Sequence, residues 1–211
     1  MTYPDGSKVD FNRTNRSLYT LKEYDHYPFR MLDPKEMAGL KILDFGCGDG
    51  DVVNTLRRFG VDAFGLDIYL TPKQRKKTYF TMADGQRTPY PDNQFDIVMS
   101  TWSAFTYLMY DAGNGKIGAH ENAVAILQEM IRITKKGGVI RISPAPHIRT
   151  SEGVEFPAVE KILRENFPEV RIKSRPSPEW LQRFHAPPGS HKLGNLYEAP
   201  SEVWIELEKI P

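Results

Sequence analysis

The sequence predicts an α/β domain: a doubly wound, mostly parallel sheet of seven strands with helices on both faces. Three observations carry that expectation. Strand-like and helix-like stretches alternate along the chain from Lys41 onward. Phe95–Ser100 (FDIVMS) reads as a strand covered on both faces, apolar almost throughout. The stretch KILDFGCGDGD, Lys41–Asp51, runs from an apolar strand into glycines at 46, 48 and 50, as a tight strand-to-helix turn requires.

Taken in order, residues 1–38 are rich in Tyr, Arg and Asp and weakly periodic, which suits an N-terminal arm or lid. Residues 39–211 form the expected domain. Lys41–Phe45 is its first strand, and Asp51–Phe59 a helix with Val52, Leu56 and Phe59 on one side. Gly60 stands where a glycine ends a helix. Val61–Leu66, Tyr79–Met82 and Phe95–Ser100 are the next strands. A helix over Ala123–Ile133 is expected to stop at Lys136-Gly137-Gly138, before a fifth strand at Val139–Ser143. Pro157–Phe167 reads as helical, with Pro157 at the tolerated first position. Val170–Lys173 and Val203–Glu208 are closing strands, separated by a long insertion over 174–201 rich in proline and aromatics. Connections of that length are often functional, so it is assigned with the N-terminal arm to the acceptor side of the site.

Composition bounds the partners. The 211 residues carry 28 Lys plus Arg against 27 Asp plus Glu, a net charge of +1, which gives no support to wholesale binding of nucleic acid or anionic membrane. No apolar run approaches a membrane span, and the N-terminus lacks the apolar core of a secretory signal. Cys47 is the single cysteine, so an internal disulfide is impossible and a cytoplasmic location is expected. No ordered His, Cys or carboxylate spacing suggests a metal. The basic run Lys73–Lys77 reads as a solvated helix face.

The chemistry of the glycine turn narrows the ligand. In open parallel sheets ligands bind beyond the carboxyl ends of the strands, where the turn lies. A nicotinamide fingerprint would need glycine at 51, and the residue is Asp51, whose charge would repel a pyrophosphate at the helix start. A cationic ligand without phosphate suits the turn better. Asp67 ends the second strand 17 residues after Gly50, where a ribose-binding acid belongs. Then follow ADGQRTPYPDNQFDIVMS, with Asp84-Gly85, Pro89-Tyr90-Pro91 and Phe95-Asp96, and QEMIRITKKGGVIRIS.

These four stretches, in this order over roughly residues 40–145, resemble the class I S-adenosylmethionine-dependent methyltransferases of the small-molecule type. The resemblance implies a Rossmann-like fold and S-adenosyl-L-methionine as cofactor. It carries cofactor-binding roles to Asp44, Gly46, Cys47 and Gly48 in the turn, Asp67 and Ile68 after the second strand, Asp84 and Gly85 after the third, and Ser100 on the fourth. Cys47 itself has the size of a packing residue. Two positions depart from the family pattern: Thr88, where an aliphatic residue is usual, and Lys136, where proline is usual.

The implied reaction moves the sulfonium methyl to an oxygen, nitrogen or carbon nucleophile, with a small molecule as the expected acceptor. Acceptor-side candidates follow the fourth strand (Trp102, Ser103, Tyr107, Tyr110, Asp111, His120) and the fifth, where Ser143-Pro144-Ala145-Pro146 leads into His147. Tyr107 and His147 are the selected catalytic candidates. Ser100-Thr101-Trp102-Ser103 lacks the motif of DNA amino-methyltransferases and the paired acids of aminopropyltransferases. A methyltransferase acting on RNA or protein, and a cofactor-binding regulatory module without transfer, stand as alternatives.

Overall fold

The computed structural model describes residues 37–101, 103, 119–143, 148–150, 153–155, 163–174 and 205–211. Seven strands form one sheet: β1 (Lys41–Phe45), β2 (Asp62–Asp67), β3 (Phe80–Met82), β4 (Phe95–Thr101), β5 (Thr134–Ser143), β8 (Val170–Ser174) and β9 (Ile205–Lys209), ordered β3-β2-β1-β4-β5-β9-β8. β3 to β5 pair in parallel, whereas β9 enters antiparallel between β5 and β8. The sheet is therefore mixed around a parallel core. Two cross-strand ion pairs of 2.8 Å, Arg141–Glu206 and Arg171–Glu208, join β9 to its neighbours at directly opposed positions.

Alternation along the strands sorts the core into two layers. Ile42, Ile97 and Met99 pack with Val52, Val53 and Leu56 of helix α1 (Asp51–Arg58). Leu43, Val98, Ile140 and Leu207 pack with Ala123, Leu127 and Met130 of helix α3 (Ala119–Ile133). A third, four-residue helix, α2 (Pro72–Arg75), follows β2. Helix α1 closes as expected, because Gly60 (φ 83°) lets its own amide reach Arg57 O at 3.0 Å and that of Val61 reach Leu56 O at 3.1 Å.

β5 begins at Thr134 rather than the expected Val139. Helix α3 begins at Ala119 rather than Ala123 while ending, as expected, at Ile133. Its last carbonyls are taken by Thr134 Oγ1, which donates to Met130 O at 2.7 Å, and by Lys209 Nζ, which donates to Ile131 O at 2.9 Å. The chain then enters β5 at once, and residues 135–138 bulge out, as the register shift between Phe95 and Ile97 records. Of the expected Pro157–Phe167 helix, only 163–166 is described and helical. A small antiparallel ribbon, β6 (Ile148–Thr150) with β7 (Gly153–Glu155), was not expected. Apart from residues 37, 38 and 174, the arm and the 174–201 insertion lie outside the described residues.

The Thr88 departure has a cause. Its amide and hydroxyl both donate to Glu129 Oε1 at 2.6 Å, and Glu129 is bonded in turn by Arg132 at 2.7 and 2.8 Å. Arg132 also donates to Tyr90 O at 2.8 Å and to Asp92 at 2.5 Å, so α3 grips the loop between β3 and β4 through polar contacts. Burial would raise the Glu129 carboxyl, but the bonds from Arg132 and Thr88 outweigh it and hold the group below its usual range. Thr88→Val removes one donor from this carboxylate and should destabilise the fold by about 1–3 kcal/mol in urea unfolding. An unchanged midpoint would show that the hydroxyl does not hold the loop.

Candidate functional site

Strand order reverses between β1 and β4, and the carboxyl ends of β1, β2, β3 and β4 surround that point. Asp44, the penultimate residue of β1, is 3% exposed, and its Oδ2 finds no hydrogen-bond partner among the described residues. Burial, and after it the negative charge of Asp67, pushes the Asp44 carboxyl up to about 7. An ionised, unpartnered carboxylate is costly in such a place, and the cost falls when a cation or donor arrives.

Beyond Asp44 the chain turns sharply. Gly46, Gly48 and Gly50 take φ values of 83°, 50° and 75°, a left-handed region that side chains rarely tolerate. The amides of Gly46 and Cys47 both donate to Leu66 O, at 2.8 and 2.9 Å, which ties the turn to the end of β2. Space differs among the glycines. A Cβ on Gly46 would lie 2.3 Å from Ser103 Cβ, and one on Gly50 would lie 2.4 Å from the Phe80 ring. A Cβ on Gly48 would meet none of the described residues within 4 Å. Protein packing demands glycine at the first and third positions, whereas the volume over Gly48 is open.

Asp67 faces the same turn. Its Oδ2 accepts from Gly48 N at 2.8 Å and its Oδ1 from Tyr69 N at 3.0 Å, each oxygen keeping a second lone pair. Ile68 and Tyr69 beside it are 73% and 66% exposed, large apolar surfaces at the rim of the same strand end. Ala83 N donates to Asp67 O at 3.1 Å and joins the end of β3 to this group. Asp84 is exposed and orders its own turn by accepting from Gln86 N at 2.9 Å. Gly85 lies against Phe45, since a Cβ there would come within 2.8 Å of the ring.

The fold thus brings the cofactor-side residues to one end of the sheet but gives them unequal parts. Gly48, Asp67, Ile68 and Asp84 present surface, and Asp44 an unpartnered atom. Cys47 is buried in the α1-side core and burial pushes its thiol up, so it offers neither a contact surface nor a nucleophile. Ser100 is also buried, and its hydroxyl is bonded to that of Ser103. Tyr107 and His147 lie outside the described residues. Ser103, expected on the acceptor side, packs on Gly46, and one contributor went unnoticed in the sequence: Gln74, whose Nε2 donates to Gly48 O at 2.8 Å. The Thr71-x-x-Gln74 capping pattern could have placed Gln74 at a helix start but not its reach to the turn. Asp92 pairs with Arg132, away from this group. Among the described residues no helix is long and apolar enough to cross a membrane.

Residues 43–142 match the family model described as a methyltransferase domain. A Bacillus subtilis (strain 168) protein named as a candidate 23S rRNA (guanine-N(1)-)-methyltransferase is 36% identical over 76 residues, 31% of this chain and 27% of that protein. The ajmaline N-methyltransferase of Rauvolfia serpentina is 26% identical over 149 residues, 63% of this chain and 46% of that protein. The chain thus spans less than half the length of either curated relative. Among solved structures, 1,6-didemethyltoxoflavin-N1-methyltransferase from Burkholderia thailandensis superposes with a TM-score of 0.55 at 11% identity, covering 93% of this chain and 82% of that one. A chain of the complex between the Haloferax volcanii Trm112 methyltransferase activator and its methyltransferase gives 0.52 at 16% identity, covering 97% and 99%. At these identities the superpositions establish the shared fold.

The Asp44 environment makes a testable statement about pH. Its folded value of about 7 lies above the unfolded 3.8, so the folded chain binds more protons between them. The associated stability is complete below the unfolded value and is lost as pH rises through about 7. Asp44→Asn should leave stability near pH 4 little changed and raise it above pH 7 by on the order of a few kcal/mol. A variant and parent that track each other from pH 4 to pH 8 in urea unfolding would show that Asp44 is not buried as an orphan.

Proposed function

We propose that the chain, whose residues 43–142 match the methyltransferase-domain family model, is a class I S-adenosylmethionine-dependent methyltransferase that transfers a methyl group to a nucleophilic atom of a small molecule. One observation carries the cofactor assignment: an unpartnered buried carboxylate oxygen at Asp44 beside an open, exposed Gly48. S-adenosylmethionine supplies a sulfonium methyl that is electrophilic as it stands, together with an ammonium that suits an acidic strand end. The described residues fit that group. Asp44 offers a carboxylate oxygen with no partner among the described residues, and Gly48 leaves the backbone bare for the amino-acid portion. Asp67 keeps one lone pair on each oxygen for a ribose hydroxyl. Ile68 offers an apolar face to a purine, and Asp84 and Gly85 form the adenine side.

With the donor already activated, the protein's work is to hold an acceptor in line and keep water out. A base is needed only where the acceptor must lose a proton. Tyr107 and His147 are the groups proposed for that step, and the segments 1–38 and 174–201 are proposed to cover the acceptor.

The small-molecule reading is supported by the near-neutral charge and by the longer of the two relative matches, which is to a protein named for ajmaline. RNA is the second reading, favoured by the 36% identity to the relative named for 23S rRNA. Nitrogen is the acceptor atom in both names, so amines and ring nitrogens are the first acceptors to try.

Calorimetry with the 211-residue chain should show S-adenosylhomocysteine binding and no preference for NAD. Gly48→Asn should abolish that binding in a folded domain, because asparagine tolerates a left-handed backbone yet its side chain enters the open volume. Label from methyl-labelled S-adenosylmethionine should then appear in a metabolite of a cell extract. Label recovered in RNA would overturn the small-molecule part, and tight NAD binding would overturn the whole.

A further inference from the structure

Gly48 is the least restrained residue of the turn, with an exposed position, no side chain and a left-handed φ of 50°. Both of its backbone polar groups are nevertheless held, and both by side chains. Asp67 Oδ2 accepts from its amide at 2.8 Å, and Gln74 Nε2 donates to its carbonyl at 2.8 Å. The second bond spans 26 positions of sequence.

Gln74 is unusual in its own right. It is a polar side chain only 4% exposed, on a helix of four residues, where an apolar side chain would fill the space without desolvating an amide. Its Oε1 accepts twice, from Thr71 N at 2.9 Å and Thr71 Oγ1 at 2.8 Å, which anchors the amide plane. The anchored plane then leaves Nε2 aimed at the turn. The sequence Asp67 to Gln74 therefore works as a clip: one end holds the Gly48 amide, the other its carbonyl, and Thr71 fixes the angle of the second arm.

Resting on the methyltransferase reading above, we propose that Gln74 is a positioning residue for the cofactor's amino-acid portion, acting through the Gly48 carbonyl. Its loss frees the peptide after Gly48 to rotate, and the turn no longer presents a fixed surface to the amino acid. The nucleoside portion, which faces Asp67, Ile68 and Asp84, does not depend on that peptide.

Two ligands separate these parts. S-adenosylhomocysteine contains the amino acid, and 5′-methylthioadenosine keeps the nucleoside and thioether but lacks it. In calorimetry with the full chain, Gln74→Met should bind S-adenosylhomocysteine about five- to tenfold more weakly, the range for one lost neutral hydrogen bond. Its affinity for 5′-methylthioadenosine should stay within about twofold of the parent. Thr71→Val removes one of the two bonds that anchor the Gln74 amide, so it should weaken S-adenosylhomocysteine in the same direction but less than Gln74→Met, and leave 5′-methylthioadenosine within about twofold. The inference is overturned if Gln74→Met weakens both ligands equally, if it weakens neither, or if Thr71→Val weakens 5′-methylthioadenosine as much as S-adenosylhomocysteine. A parent chain that binds 5′-methylthioadenosine but not S-adenosylhomocysteine also overturns it. A parent that binds neither overturns the methyltransferase reading on which it rests.

Discussion

Between Phe45 and Asp51 the chain has five residues in which to leave a buried parallel strand and start a helix that packs back on the same sheet. That constraint organises the site. It forces left-handed backbone at 46, 48 and 50, and it turns successive amides toward the neighbouring strand, where Leu66 O takes two of them. The helix then starts at a glycine with no side chain to cap it. Packing claims the glycines at 46 and 50, through Ser103 and Phe80, and leaves the middle one bare. An opening over the backbone is thus a by-product of how tightly the turn is closed on either side.

Charge gives that opening its selectivity. Asp44 lies under the turn and Asp67 beside it, and burial, with the charge of Asp67 added to it, disfavours ionisation of Asp44. Asp67 is compensated by two backbone amides, while Asp44 Oδ2 has no partner among the described residues. A phosphate would add a third negative charge here, whereas an ammonium would relieve the two already present. The same local charge that costs the empty fold stability at neutral pH is what favours a cationic ligand, a common trade at binding sites.

The sequence made the parallel core and most of this site legible because both rest on local pattern. Apolar stretches at strand length, glycines at alternate positions and an acid at a strand end are all visible without knowing what lies across the sheet. What escaped rests on partners far along the chain. Gln74 bonds Gly48, Thr88 bonds Glu129 41 positions on, and Lys209 caps a helix 78 positions earlier. Single polar residues carry no period, so nothing in their surroundings marks them. The end of α3 is a case in point: the apolar face marks Ile133 as its last residue, but nothing marks Thr134 and Lys209 as the groups that satisfy its carbonyls. Ser100 and Cys47 illustrate the reverse, since position in a motif identified them while burial leaves only their packing and backbone to contribute.

On this reading the ends of β1, β2 and β3 act together as one surface for a single nucleoside ligand that carries an ammonium. Amide hydrogen exchange with and without saturating S-adenosylhomocysteine tests it most directly. Segments 45–50, 67–70 and 83–86 should gain protection together, while the β8–β9 edge is unchanged. Protection confined to one of the three segments, or appearing only elsewhere in the chain, would contradict it.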